Sequence, residues 1–201
     1  YSGPDIPWMN PQCVGINNLP PRSNFNGFSN ENDAINADPL DSDWFFSLDG
    51  EWKFSLFQKP ADLRKSYILP DMEDFGWSRI VVPGNWTMQG YDKPHYTNVQ
   101  MPFPDQPPKV PEQNPTGVYR KTFRLPKGWK SRRTVIHFGG VESAFFLFCN
   151  GKNVGFGKDS RTPVEFDLTK WIVEGENQLS IVIIRWSDGS YLEDQDHWWM
   201  A

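Results

Sequence analysis

The chain has 201 residues, a net charge of −5 at neutral pH and 15% aromatic residues, a length that suits one large all-β unit or two small domains. No basic run is longer than Ser131-Arg132-Arg133, so nucleic acid is not an expected partner. No apolar run approaches the ~20 residues of a membrane span. The 18 prolines resist helix interiors and central strands, so many short strands joined by long stiff loops are expected. Cys13 and Cys149 belong to no metal-ligand or redox spacing and form no disulfide framework. The chain opens on Tyr1 with no signal-peptide pattern, and a start that is missing or processed is expected. The compartment stays open between cytoplasm, periplasm and exterior.

Residues 1–43 read as an extended arm. Pro4, Pro7, Pro11, Pro20, Pro21 and Pro39 break it, and no period of 2 or 3.6 persists. Trp8, Phe25 and Phe28 are the side chains expected to dock it. The domain proper, 44–201, opens with Trp52, Phe54 and Leu56 alternating with Lys53 and Ser55, a strand with one buried face. Ala61 to Tyr67 suits a short helix ended before Pro70, and Ile80–Val82 a strand stopped by Pro83-Gly84. From Gly90 to Thr116 there is no regular period and seven prolines; so long a loop in a compact domain is usually functional.

Strand patterns then become dense. Tyr119, Phe123 and Leu125 alternate with polar residues; Val135–Phe138 and Ala144–Phe148 follow. Asn150-Gly151 between two apolar runs predicts a hairpin, because a type I′ turn needs positive φ at both central residues. Val164–Asp167 is another strand, Leu168–Val173 one or two helical turns, and Gly175-Glu176-Asn177 a turn into the apolar run ending at Ile184. Short strands at this spacing predict an antiparallel sandwich.

The last stretch, Arg185 to Met200, leaves that final strand carrying Asp188, Glu193, Asp194 and Asp196 with Trp186, Trp198 and Trp199. Carboxylates accept hydrogen bonds from hydroxyls, and indoles offer a flat apolar face with an edge donor. A sugar needs both. Asp194 and Asp196 share a side in an extended segment, and two close carboxylates are costly without a cation or several donors. The competing reading is a solvated acidic loop with core tryptophans. In the proline-rich loop, the amide of Asn98 could bridge neighbouring hydroxyls, or simply form a turn. His197 neighbours Asp196 but points to the opposite side if extended, which favours packing; His137 reads as structural, and His95 shows no ligand spacing. A retaining glycosidase needs two carboxyls ~5–5.5 Å apart; Glu193, Asp194 and Asp196 leave such a pair open on sequence alone.

Several blocks carry a resemblance: Ser47-Leu48-Asp49-Gly50-Glu51-Trp52, Val82-Pro83-Gly84-Asn85-Trp86, Gly90-Tyr91-Asp92, Tyr96-Thr97-Asn98-Val99, Glu112–Gly117, Cys149-Asn150-Gly151, Gly157–Arg161, Glu165–Leu168 and the terminal run. In this order they resemble the sugar-binding domain of family 2 glycoside hydrolases, and within that family the large beta-galactosidases. The resemblance implies a jelly-roll sandwich (44–201, cut short at its C-terminal edge) and an arm that contributes to subunit contacts in a homo-oligomeric parent. The catalytic glutamates would lie on a barrel outside this chain, which alone is expected to be inactive. It further implies that Asn98, Val99, Asp196, His197 and Trp198 face the beta-galactoside, and that Asp196 also binds sodium, whose other ligands come from the barrel. Some family members hold a divalent ion, magnesium in the parent enzyme, between arm and sandwich. Here Asn10, the Val14 carbonyl and Asp188 match its ligands, but Pro7 and Lys158 replace two others, so none is expected in this chain. The alternatives are a free-standing carbohydrate-binding module, or the same domain from a glucuronidase or mannosidase.

Overall fold

The structure is a computed structural model that describes residues 6–23, 25–97 and 101–193. Nine strands form two antiparallel sheets among the described residues. They are β1 (Gly15–Ile16), β2 (Gly50–Phe57), β3 (Ser78–Val82), β4 (Thr116–Arg124), β5 (Val135–Phe138), β6 (Ala144–Cys149), β7 (Lys152–Lys158), β8 (Val164–Asp167) and β9 (Glu176–Ile184). The large sheet runs β1-β7-β6-β9-β4-β2-β3, and the small one is β5-β8. Two short helices, α1 (Glu31–Asn36) and α2 (Ser190–Glu193), complete the regular structure with several 3-10 turns. This is the antiparallel sandwich that the strand pattern predicts, with the jelly-roll type that the resemblance implies.

Local chemistry accounts for the connections. Asn150 (φ 50°) and Gly151 (φ 74°) turn β6 into β7, as the Asn-Gly pair demands. The Asn150 side chain also accepts from Gln178 N (2.9 Å) and donates to Asn177 Oδ1 (2.9 Å), locking the hairpin to the start of β9. The stretch expected as one helix over Ala61–Tyr67 is instead two 3-10 turns, Pro60–Asp62 and Lys65–Ile68, split by extended backbone at Leu63 and Arg64. The segment read as irregular arm contains α1, whose N-cap Asn30 accepts from Asp33 N, the side-chain cap that a helix start requires. Leu168–Ile172 forms a turn, closed by Trp171 N and Ile172 N donating to Leu168 O (2.8 and 3.1 Å).

Both faces of the large sheet are buried, which explains the near-continuous apolar runs of β6 and β9. Phe145, Leu147 and Cys149 point with Leu179 and Ile181 toward the small sheet, packing on Ile136, Val164 and Phe166. On the opposite face Ala144, Phe146, Phe156, Val118, Val182 and Ile184 meet Trp8 from the arm and Met101 and Val110 from the proline-rich loop. Leu63, Ile68 and Trp77 from the segment between β2 and β3 pack there too, so the layer covering that face is built of irregular segments. Trp8 stands edge-on to Phe146 (6.1 Å between ring centres); β1 continues the arm onto β7, pairing Gly15 with Gly157, and Asn18 bridges to Phe166 of β8. Phe25 stays exposed beneath the Arg22 guanidinium (4.2 Å), and Phe28 is half-buried.

The two ends of the large sheet differ. β1 contributes only two residues. At the other end the side-chain amide of Gln89 pairs with the outer edge of β3: Val81 N donates to its Oε1 (2.8 Å) and its Nε2 donates to Val81 O (3.0 Å).

Candidate functional site

Two stretches singled out in the sequence, the loop between Gly90 and Thr116 and the run after Ile184, lie against each other. Asn114, at the loop's end, grips the backbone of Trp186: Trp186 N donates to Asn114 Oδ1 (2.9 Å), and Asn114 Nδ2 donates to Trp186 O (2.8 Å). The amide matches a peptide group donor for acceptor, as a neighbouring strand would. Arg185 N donates to Pro115 O (3.0 Å). Farther along, the Tyr191 hydroxyl of α2 reaches Asp105 O (2.9 Å) and Lys109 O (2.6 Å). Burial, then the charge of Asp105, hold its phenol above the ordinary range. Phe103 packs edge-on against Trp186 (5.4 Å) and Tyr191 (5.8 Å).

The loop's beginning joins the same node through charge. Arg185 pairs with Asp92 and places Nη2 2.9 Å from His95 Nδ1, while its guanidinium lies 4.8 Å from the Trp186 ring centre. A guanidinium only donates, so His95 Nδ1 is the accepting side of this contact. Sequence reasoning did not find this fork. Its partners lie about ninety positions from Arg185, and no local spacing encodes such a pairing.

Asn98, Val99, Asp196, His197 and Trp198 lie outside the described residues. Asn98 follows His95 by three positions, and Asp196 follows Tyr191 by five; the described parts of both stretches meet at Arg185 and Trp186. His137 sits on β5 with Nδ1 3.1 Å from Glu165 Oε1, which also accepts from Arg22 Nη2 of the arm (2.8 Å). Among the described residues no group of three or more His, Cys, Asp or Glu could hold a metal.

Between arm and sandwich, Lys158 of β7 donates from Nζ to both carboxylate oxygens of Asp188 (2.7 and 3.0 Å) and to Asn10 O (3.1 Å). The pair is buried, with side-chain exposures of 7% and 9%, and Asp188 N donates to Trp8 O (2.9 Å). Two of the oxygen-bearing residues that could face a divalent ion are thus turned onto an ammonium, and Val14 is largely exposed. A hard cation needs six or more oxygens and would meet a fixed positive charge. These residues do not fit a divalent ion.

A trough of about 680 Å³ opens between the sheets. Trp52, Tyr119, Ile181 and Ile183 line it with Asn85, His95, His137 and Arg185.

The family model described as glycosyl hydrolases family 2, sugar binding domain, matches residues 45–201. The chain belongs to that family. Curated relatives of the family 2 domain include the beta-galactosidase of Psychromonas ingrahamii, 56% identical over 77% of this chain and 15% of the relative. That of Vibrio cholerae is 55% identical over the same shares, and that of Pectobacterium atrosepticum 47% identical over 96% of this chain and 18% of the relative. The family 2 domain described here thus spans under a fifth of the length of those relatives. Solved structures sharing the fold include a Bifidobacterium dentium beta-glucuronidase (TM-score 0.52, 21% identity, 69% of this chain and 20% of that one). A Ruminococcus gnavus glucuronidase complexed with D-glucuronic acid has the same TM-score at 19% identity, covering 70% of this chain and 22% of its own.

Proposed function

We propose that the chain is the N-terminal sugar-binding domain of a beta-galactosidase, in which it supplies contacts to the galactosyl group while a separate barrel domain cleaves the glycosidic bond. The observation that supports this most is the contrast in identity. Curated relatives named beta-galactosidase are 46–56% identical over most of the chain, whereas the glucuronidase structures are 19–21% identical and carry likeness of fold alone. That contrast disfavours the glucuronidase alternative.

By the resemblance, Asn98 and Asp196 touch sugar hydroxyls, Val99, His197 and Trp198 shape the surrounding surface, and the Asp196 carboxylate is one ligand of a sodium ion completed from elsewhere in the parent. Sodium bound there would lend positive charge to sugar oxygens. Asp196 acts through charge and geometry, and proton transfer belongs to the barrel. Lys158 replaces the divalent ion that other members hold between arm and sandwich, so the junction of this chain needs no metal. The remaining domains of the parent, and further copies of it, are the expected partners.

The test is substrate preference in the full-length parent. It is expected to hydrolyse nitrophenyl β-galactoside with kcat/KM well above the β-glucuronide and β-mannoside; preference for either of the latter overturns the reading. Asp196→Asn is expected to lower kcat/KM roughly ten- to hundredfold, the loss of a charge-assisted hydrogen bond of ~1.5–3 kcal/mol, and to blunt sodium activation. Asn98→Ala is expected to lower kcat/KM with sodium activation intact.

A further inference from the structure

Arg185 stands where three separate parts of the loop from Gly90 to Thr116 converge on the exit of β9. Its side chain forks to Asp92 and His95 at the loop's beginning. The adjoining Trp186 ring meets Phe103 in the middle; at the end, Arg185 N donates to Pro115 O and the Trp186 backbone is held by the Asn114 amide. The side chains of Arg185 and Asp92 are 12% and 17% exposed, so that arm of the fork is partly shielded from competing water, while the contact to His95 is exposed. Asp92 adopts a left-handed backbone (φ 59°), a conformation costly to a residue other than glycine and retained only where surroundings enforce it. The Arg185 guanidinium pairs with the side chain of that residue. A planar guanidinium presents its donors in a fixed fork toward the carboxylate and the imidazole nitrogen together, a geometry that a lysine ammonium does not reproduce.

We propose that Arg185 is a positioning residue for the parent's reaction: it fixes the Asp92–His95 turn relative to the end of β9. It thereby sets the spacing between the two stretches that continue into Asn98 and Asp196. The inference rests on the reading of those two residues as sugar contacts. Only three positions separate His95 from Asn98 in the chain, a span of at most ~10 Å. A shift of ~1 Å at a positioning group can cost on the order of a hundredfold in rate.

The experiment uses the full-length parent carrying Arg185→Met, Arg185→Lys, Asp92→Asn, and the double variant Arg185→Met with Asp92→Asn. kcat/KM for nitrophenyl β-galactoside is expected to fall roughly ten- to hundredfold in both single variants at Arg185, since Lys restores charge without the fork. The double variant is expected to lose no more than Arg185→Met alone. Guanidinium ion at a non-denaturing concentration is expected to restore part of the activity of an Arg185→Ala variant, a response that a merely structural defect would not give. Asp92→Asn carries the test if the Arg185 variants fail to fold. If Asn98→Ala and Asp196→Asn reduce activity while Arg185→Met and Asp92→Asn stay within twofold of the parent, the positioning role is overturned and the sugar-contact reading survives. If Asn98→Ala and Asp196→Asn are themselves silent, the sugar-contact reading falls and the positioning role falls with it.

Discussion

Removing the ammonium of Lys158 tests the arm–sandwich junction directly. Lys158→Met keeps most of the side-chain length but leaves the Asp188 carboxylate, 9% exposed, without its cation, and Asn10 O without its donor. Deleting one partner of a buried ion pair costs about 3–5 kcal/mol, chiefly because the other charge stays buried and uncompensated. For a unit of 150–250 residues each kcal/mol moves Tm by about 2–4 °C, so the expected drop is roughly 6–20 °C. Pairing the substitution with Asp188→Asn removes the stranded charge and is expected to recover most of the loss. The assay is thermal unfolding of the 201-residue chain followed by tryptophan fluorescence, with Trp8 as a reporter inside the junction. Magnesium is expected to leave the wild-type Tm unchanged. If Lys158→Met melts within ~2 °C of wild type, or if magnesium raises the wild-type Tm, the ammonium does not hold this junction and the reasoning is wrong.

Three other outcomes are expected. The 201-residue chain alone does not hydrolyse nitrophenyl β-galactoside above background; turnover abolished by Asp196→Asn would place a catalytic carboxylate within it. Burial pushes the Cys149 thiol up to about 12 from an ordinary 9.0, so a thiol reagent at pH 8 labels the half-buried Cys13 and spares Cys149. Because the unfolded thiol ionises first, unfolding free energy falls as pH rises from about 9 toward 12; labelling of both cysteines at equal rates refutes this. Gly117→Ala places a Cβ 2.6 Å from a Trp86 ring carbon and 2.8 Å from one of Phe54. This overpacking is expected to cost about 1–3 kcal/mol in chemical denaturation, and a neutral result would show that the core beside β4 yields.

The strands were legible because their signals are local. Alternation over Trp52–Leu56, the Asn150-Gly151 pair and the apolar run into Ile184 each fix an element from a few neighbouring side chains. What covers the second face of the large sheet was legible only in part, through Trp8 as an expected dock for the arm. Met101 and Val110 reach it from a loop without period, and only tertiary packing makes them core. The helix expected near Ala61 failed for a related reason: its apolar spacing suits a helix, but Pro60 favours a tight turn and Leu63 and Arg64 stay extended. At the candidate site, residue types and their two stretches could be read from the sequence. The contacts joining them, Arg185 to Asp92 and His95 and Asn114 to Trp186, span seventy or more positions and leave no trace in local order. Lys158 was legible only as a departure from a resembled pattern; its geometry gives that departure a physical meaning.

The amide of Gln89 on the rim of β3 bears on how such a chain behaves in a concentrated solution. An open strand edge is a template on which another molecule can continue the ladder, and repetition of that event yields fibres. Gln89 occupies the donor and acceptor of Val81 with a group that cannot propagate, since a side-chain amide offers no next strand. The opposite rim, β1, is two residues long and gives too short a purchase for a newcomer. Assembly through backbone pairing is thereby discouraged at both rims of the large sheet, and association is left to surfaces that recognise side chains.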